Sequence, residues 1–236
     1  MFFRIFISCI LITTFLVSGN ESVSKSEFPK PFLENLEGWS VEWNPIFKKQ
    51  ENKKKFVDIR KALANHLQRI TYILEAEKVE ALRKLFIRVD LDHKLTNMQY
   101  HPSKGWLIQN KHDPSLEKRV HVPRAMQLLS KNQWAKHPYV ILHELAHSYH
   151  DQVLGFNNID IINAYRRAEK AGLYEKVLLF RGGLTRHYAS TNHKEFFAEM
   201  TESYLGVNDF YPFVRAELKE HDPETFHLME RIWGKI

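Results

Sequence analysis

His143-Glu144-Leu145-Ala146-His147 sets two imidazoles one helical turn apart, with a carboxylate directly after the first. Residues i and i+4 share a helix face, so both rings can reach one metal ion while Glu144 stands beside them to handle a proton. The flanking residues support a helix. Pro138 suits a first turn, Val140, Ile141, Leu142, Leu145, Ala146 and Tyr149 supply apolar surface, and Gly155 suits a C-terminal stop.

A catalytic zinc site takes three protein ligands and leaves one position open. A Gly at 150 and a His at 153 would complete the set locally, but the chain carries His150 and Val153 there. The remaining candidate is Thr191-Asn192-His193-Lys194-Glu195-Phe196-Phe197-Ala198-Glu199. Glu195 and Glu199 lie one turn apart on a face flanked by apolar residues, which would bury the helix against a core. One glutamate could ligate a metal while the other accepts the N–H of a ligand histidine. Asn192 and Glu195 also have the spacing of a capping box, so Glu195 could instead close a helix start. Two histidines and one carboxylate around an open position favour zinc among the divalent metals.

The segment from Tyr188 to Glu199 resembles the matching stretch of the anthrax lethal factor protease domain and its relatives, which belong to the gluzincin zinc metallopeptidases. The shared pattern is a tyrosine seven residues before a glutamate, the Thr191-Asn192 pair between them, and Glu195-Phe196-Phe197-Ala198-Glu199 after it. The separation of His147 from Glu195 is of the same order, and the likeness extends over about residues 138–206. The resemblance implies an α+β, helix-rich, zincin-like metalloprotease domain with a small mixed sheet. It also implies His143, His147 and Glu195 as ligands of Zn2+, Glu144 as general base, and Tyr188 as a phenol that stabilises an oxyanion or protonates a leaving group. Glu199 would stand behind the ligands and hold one of them. The implied substrate is a peptide or protein. The same water chemistry would serve a zinc hydrolase of non-peptide amides or esters, and a catalytically inactive metal-bearing binding module at an anionic cell envelope is a reading from a different class.

Residues 1–19 have the form of a secretory signal: Arg4, the apolar run Ile5 to Val17, and Val17-Ser18-Gly19 as a small-residue cleavage site. The run falls short of the roughly 20 residues a membrane span needs, so a secreted or periplasmic protein is expected rather than an N-terminally anchored one. The single cysteine, Cys9, lies in that segment, which leaves burial of apolar area, and not disulfides, to stabilise the fold. An apolar fraction of 44% with nine Gly and nine Pro in 236 residues fits one globular, helix-rich unit. The net charge of +6 is spread over scattered lysines. Nucleic-acid binding would need a basic stripe with interleaved aromatics, and none is present.

Along the chain, residues 20–37 read as a polar, flexible leader and 38–236 as the domain. Gly38 to Pro45 suits a short strand or tethering loop. Phe56, Ile59, Leu63, Leu67, Ile70 and Leu74 recur at helical spacing, and Val79, Leu82 and Leu85 continue it. Ile87, Val89 and Leu91 alternate as in a half-buried strand. Met98–His101 and Trp106–Gln109 read as a hairpin about Pro102-Ser103-Lys104-Gly105, and Arg119–Val122 as a further strand. A strand at the sheet edge before the metal helix would let an extended substrate pair with it. Further helices are expected from about Asp160 to Ala171, from Asn192 to Leu205, and twice near the C-terminus, with a hairpin over Val177–Ala189.

Overall fold

Alternating side chains over residues 32–43 fold into a hairpin whose turn, Glu37-Gly38, has positive φ at both residues (54° and 95°). Two such residues match the right-handed twist of the flanking strands, which type I and II turns do not. The computed structural model describes residues 28–236. The strands are β1 (Phe32–Leu36) and β2 (Trp39–Trp43), so part of the expected leader is the first strand of the sheet. The expected signal segment lies outside the described residues.

β3 (Phe86–Val89), β4 (Gln99–Tyr100) and β5 (Arg119–Val122) complete a five-stranded sheet of order β1-β2-β3-β5-β4. β2, β3 and β5 run parallel, while β1 and β4 are antiparallel edges. The expected hairpin around Pro102 does not form. Ser103 accepts a hydrogen bond from the Trp106 amide and opens the helix α3 (Lys104–Gln109), while the His101 amide donates to Arg119 and sends the chain back along β5. A capping serine and a ready partner in β5 outweigh the turn signal of Pro102 and Gly105.

The long helix α1 (Lys53–Ile73) buries Ile59, Leu63, Leu67 and Ile70, and the lysines at its start are exposed. It is followed by α2 (Ala76–Arg83) and, after β5, by the short α4 (Lys131–Lys136). The helix α5 (Val140–Tyr149) is buried along its whole length and continues as a π-helical turn, residues 150–154, that ends at Gly155 with φ 79°. α6 (Ile159–Lys170) follows, then β6 (Val177–Leu178) and β7 (Leu184–Thr185) as a short hairpin. α7 (His193–Leu205) packs on α5, and α8 (Arg215–His221) and α9 (Pro223–Trp233) close the chain over it. One contiguous apolar core joins the sheet to these helices, with Trp39, Trp43 and Trp233 fully buried in it. The architecture is α+β, rich in helix, with a small mixed sheet. Among the described residues, no helix is long and apolar enough to cross a membrane.

The end of α7 is fixed by a close approach. A Cβ on Gly206 would lie 2.6 Å from three ring atoms of Tyr139, and that ring cannot retreat freely because the Arg69 guanidinium covers it at 4.5 Å. Gly206→Ala is therefore expected to destabilise the protein by about 1–3 kcal/mol, measured as a lower urea midpoint.

Burial also makes the fold sensitive to acid. His66, His101, His150 and His187 are buried and held down to about 3, first by loss of hydration. The Arg69 cation acts on His66 in the same direction. A histidine with a depressed folded pKa contributes its full stability above the unfolded value of about 6.5 and loses it as the pH falls toward the folded value. Each imidazole steepens the loss by about 1.4 kcal/mol per pH unit. The contribution of these four rings to the urea midpoint should thus be flat near pH 7 and fall steeply below about 6.5. Midpoints unchanged down to pH 5 would show that these rings are protonated in the fold.

Candidate metal centre

α5 and α7 lie side by side, and each supplies part of one site. On α5, His143 and His147 face the same way with their Nε2 atoms 3.1 Å apart. On α7, Asn192 caps the helix by accepting from the amides of Lys194 (2.9 Å) and Glu195 (3.1 Å). The cap is Asn192 alone, and the Glu195 side chain turns away to the histidines. Glu195 Oε2 lies 3.1 Å from His147 Nε2 and 3.5 Å from His143 Nε2.

Two nitrogens and one carboxylate oxygen therefore converge at mutual distances of 3.1–3.5 Å. Ligand bonds of about 2.0–2.1 Å at tetrahedral angles would set such donors about 3.3 Å apart, so the three fit a zinc ion as they stand. Without a cation the cluster holds protons instead. Burial disfavours a charged His143, but Glu195 and Glu202 outweigh it and raise that imidazole well above its ordinary value. Burial likewise opposes a charged Glu195, yet both histidines hold its carboxyl far below the usual range. A site that draws in positive charge this strongly suits a metal cation.

Behind His143, the structure departs from the sequence expectation. His143 Nδ1 lies 2.6 Å from Glu202 Oε1 and 3.7 Å from Glu199 Oε1, so Glu202 accepts the ring N–H. That bond fixes the tautomer and leaves the Nε2 lone pair for the centre. His137 Nε2 approaches the same Glu202 oxygen at 2.8 Å, so one buried carboxylate holds two imidazoles. Glu199 instead accepts from Asn208 Nδ2 at 2.9 Å. Burial pushes its carboxyl up to about 8, with His143 pulling it down and Glu202 pushing it back. Glu195, Glu199 and Glu202 follow i, i+4, i+7 along one helix face, a spacing that carries the signal for Glu202. His137 has no comparable signal in the sequence.

The three donors open on a cavity of about 560 Å³. Glu144, Tyr188 and the edge strand β4 lie in its wall, together with His137, Phe156 and Phe210. Tyr188 belongs to a 3-10 turn, residues 188–191, rather than to a strand. Its phenol is raised by burial and then by the Glu195 charge, which keeps it protonated as a hydrogen-bond donor. β4 is tied to the turn that continues α5: Asp151 accepts from Tyr100 Oη at 2.6 Å and from Lys118 Nζ at 2.5 Å. Asp151 thus fixes the distance between the sheet edge and the histidines. Arg186 pairs with Glu175 (3.1 Å), and His187 is buried against Phe210.

No family model and no curated protein matches this chain. A solved structure similar to it is that of a Pro-Pro endopeptidase from Paenibacillus alvei, with 17% sequence identity, a TM-score of 0.47, and coverage of 85% of this chain and 100% of that chain.

Proposed function

We propose that this chain is an exported zinc-dependent metallopeptidase that hydrolyses peptide bonds with water as nucleophile. The observation that carries the reading is the convergence of His143 Nε2, His147 Nε2 and Glu195 Oε2 on the floor of a cavity walled by Glu144 and Tyr188. The resemblance of Tyr188 to Glu199 to the lethal factor protease domain supports the same assignment, and the apolar run Ile5 to Val17 supports export.

His143, His147 and Glu195 would hold the zinc ion, which when bound polarises a carbonyl and lowers the pKa of water to about 7. Glu144 takes the proton of the attacking water on one oxygen and passes it to the departing amine. The Tyr188 hydroxyl donates to the oxyanion that develops on the substrate carbonyl. Glu202 keeps His143 in the tautomer that ligates. The unpaired edge of β4 accepts an extended substrate backbone, and Asp151 holds that edge at its distance from the histidines. No covalent step on the protein is needed.

The test is a peptide library exposed to the purified protein before chelation, after chelation, and after zinc is returned. Cleavage that disappears with the metal and returns with it supports the reading. Zinc bound at one ion per chain with no peptide cut would overturn it.

A further inference from the structure

Asp209 is a buried carboxylate, 4% exposed, on the wall of the metal cavity. Among the described residues its side chain accepts no hydrogen bond, and its ionic neighbour is Lys136 Nζ at 3.9 Å, beyond hydrogen-bond reach. Among the described residues it shares this with Glu144 on the same wall, whereas buried carboxylates away from the cavity are paired: Asp90 by Asn44 and His121, Asp222 by Arg167, Tyr174 and Thr225. The Asp209 oxygens are not enclosed by protein but open on the cavity, where a ligand's donor can take the place of water.

Its placement is rigid. The Asp209 carbonyl accepts from the Phe180 amide at 2.8 Å, and the Tyr211 amide donates to Leu178 at 2.8 Å, so residues 209–211 lie along the β6–β7 hairpin like a further strand. Asn208 accepts from the Phe210 amide and donates to Glu199, and the Phe210 ring stacks on His187 at 4.8 Å. Phe210, the next residue, and Val140 give the same cavity apolar wall. Lys136, half exposed, sits beside it as a cation that can swing away.

We infer that Asp209 is a specificity residue that receives the cationic head of an arginine or lysine side chain of the substrate, with Val140 and Phe210 against the apolar stem. Long basic side chains bury their stems while the charged head seeks a partner, and a carboxylate lacking a donor supplies one. The inference rests on the peptidase reading for its place beside the cleaved bond. Binding does not depend on turnover, however, and can be tested separately.

The probe is Nα-acetyl-arginine amide, whose sole cation is the side chain, titrated by NMR into zinc-loaded full-length protein beside its neutral isostere Nα-acetyl-citrulline amide. Arginine is expected to bind roughly 10- to 100-fold more tightly than citrulline, the range of one hydrogen-bonded charge. Asp209→Asn should erase that difference with zinc content unchanged. Lys136→Ala, a change at a half-exposed side chain, should strengthen arginine binding by removing the competing cation. Equal binding of arginine and citrulline, or a preference that survives Asp209→Asn or weakens in Lys136→Ala, overturns the inference. So does equal binding of glycinamide, which would assign the carboxylate to a substrate N-terminus. Arginine binding by a protein that cuts no peptide would sink the peptidase reading and leave this site standing.

Discussion

Glu144→Gln is expected to lower turnover by about 10²- to 10⁴-fold while the protein keeps one zinc per chain. The carboxylate and the amide have nearly the same shape, and Glu144 is buried at 6% exposure, so the substitution leaves packing in place. What changes is the ability to take a proton. Glu144 is not one of the three converging donors, so metal content, measured by mass spectrometry, should match the wild type. Peptide cleavage, measured beside it, should not. The pairing separates the enzyme from the inactive binding module: a biological effect that persists at full strength in the variant would place the function in binding. Loss of zinc together with activity would mean that Glu144 supports the site rather than the reaction.

Sequence periodicity carries this far because the relations among the candidate donors are local. His143 and His147 are joined by a single helical turn, and Glu195 follows its own cap, Asn192, by three residues. Each of these relations is visible in one segment. The relation that sequence reading misplaces is the partner of His143. Glu199 stands one turn from Glu195 and Glu202 two, and which of them meets Nδ1 depends on how α7 lies across α5, a tertiary fact. His137 enters the site by the same carboxylate, from a segment with no motif of its own. The N-terminal half behaves likewise. α1 is legible from the recurrence of Ile59, Leu63, Leu67 and Ile70, and β5 from its short apolar alternation. The strand β1 is hidden because Phe32-Leu33-Glu34-Asn35-Leu36 gains its pairing only from the Glu37-Gly38 turn. α3 is hidden because a serine cap and the docking of His101 on β5 decide against a turn that Pro102 and Gly105 would otherwise make.

Three glutamates on one face of α7 should give three different losses of zinc. Glu195→Ala removes a donor that lies 3.1 Å and 3.5 Å from the two histidine nitrogens, and the variant is expected to retain almost no metal after gel filtration. Glu202→Ala leaves all three donors in place but frees His143 Nδ1 and His137 at once. Loss of such an outer partner costs about 10- to 100-fold in affinity, so this variant should bind zinc yet lose it to a chelator far sooner than the wild type. Glu199→Ala should do least to the metal, since Glu199 Oε1 stands 3.7 Å from His143 Nδ1 and its hydrogen bond goes to Asn208. Removing Glu199 also relieves Glu202 of a neighbouring acid, which leaves the grip on His143 intact. Competition against a zinc chelator, followed at several pH values, ranks the three. As the pH falls, protons compete with zinc for its imidazole ligands, so every affinity should fall while the order holds. A Glu199 variant that loses zinc faster than the Glu202 variant would restore Glu199 as the residue behind His143. Equal loss by the Glu195 and Glu202 variants would mean that orientation of the imidazole, rather than the carboxylate donor, governs how tightly the metal is held.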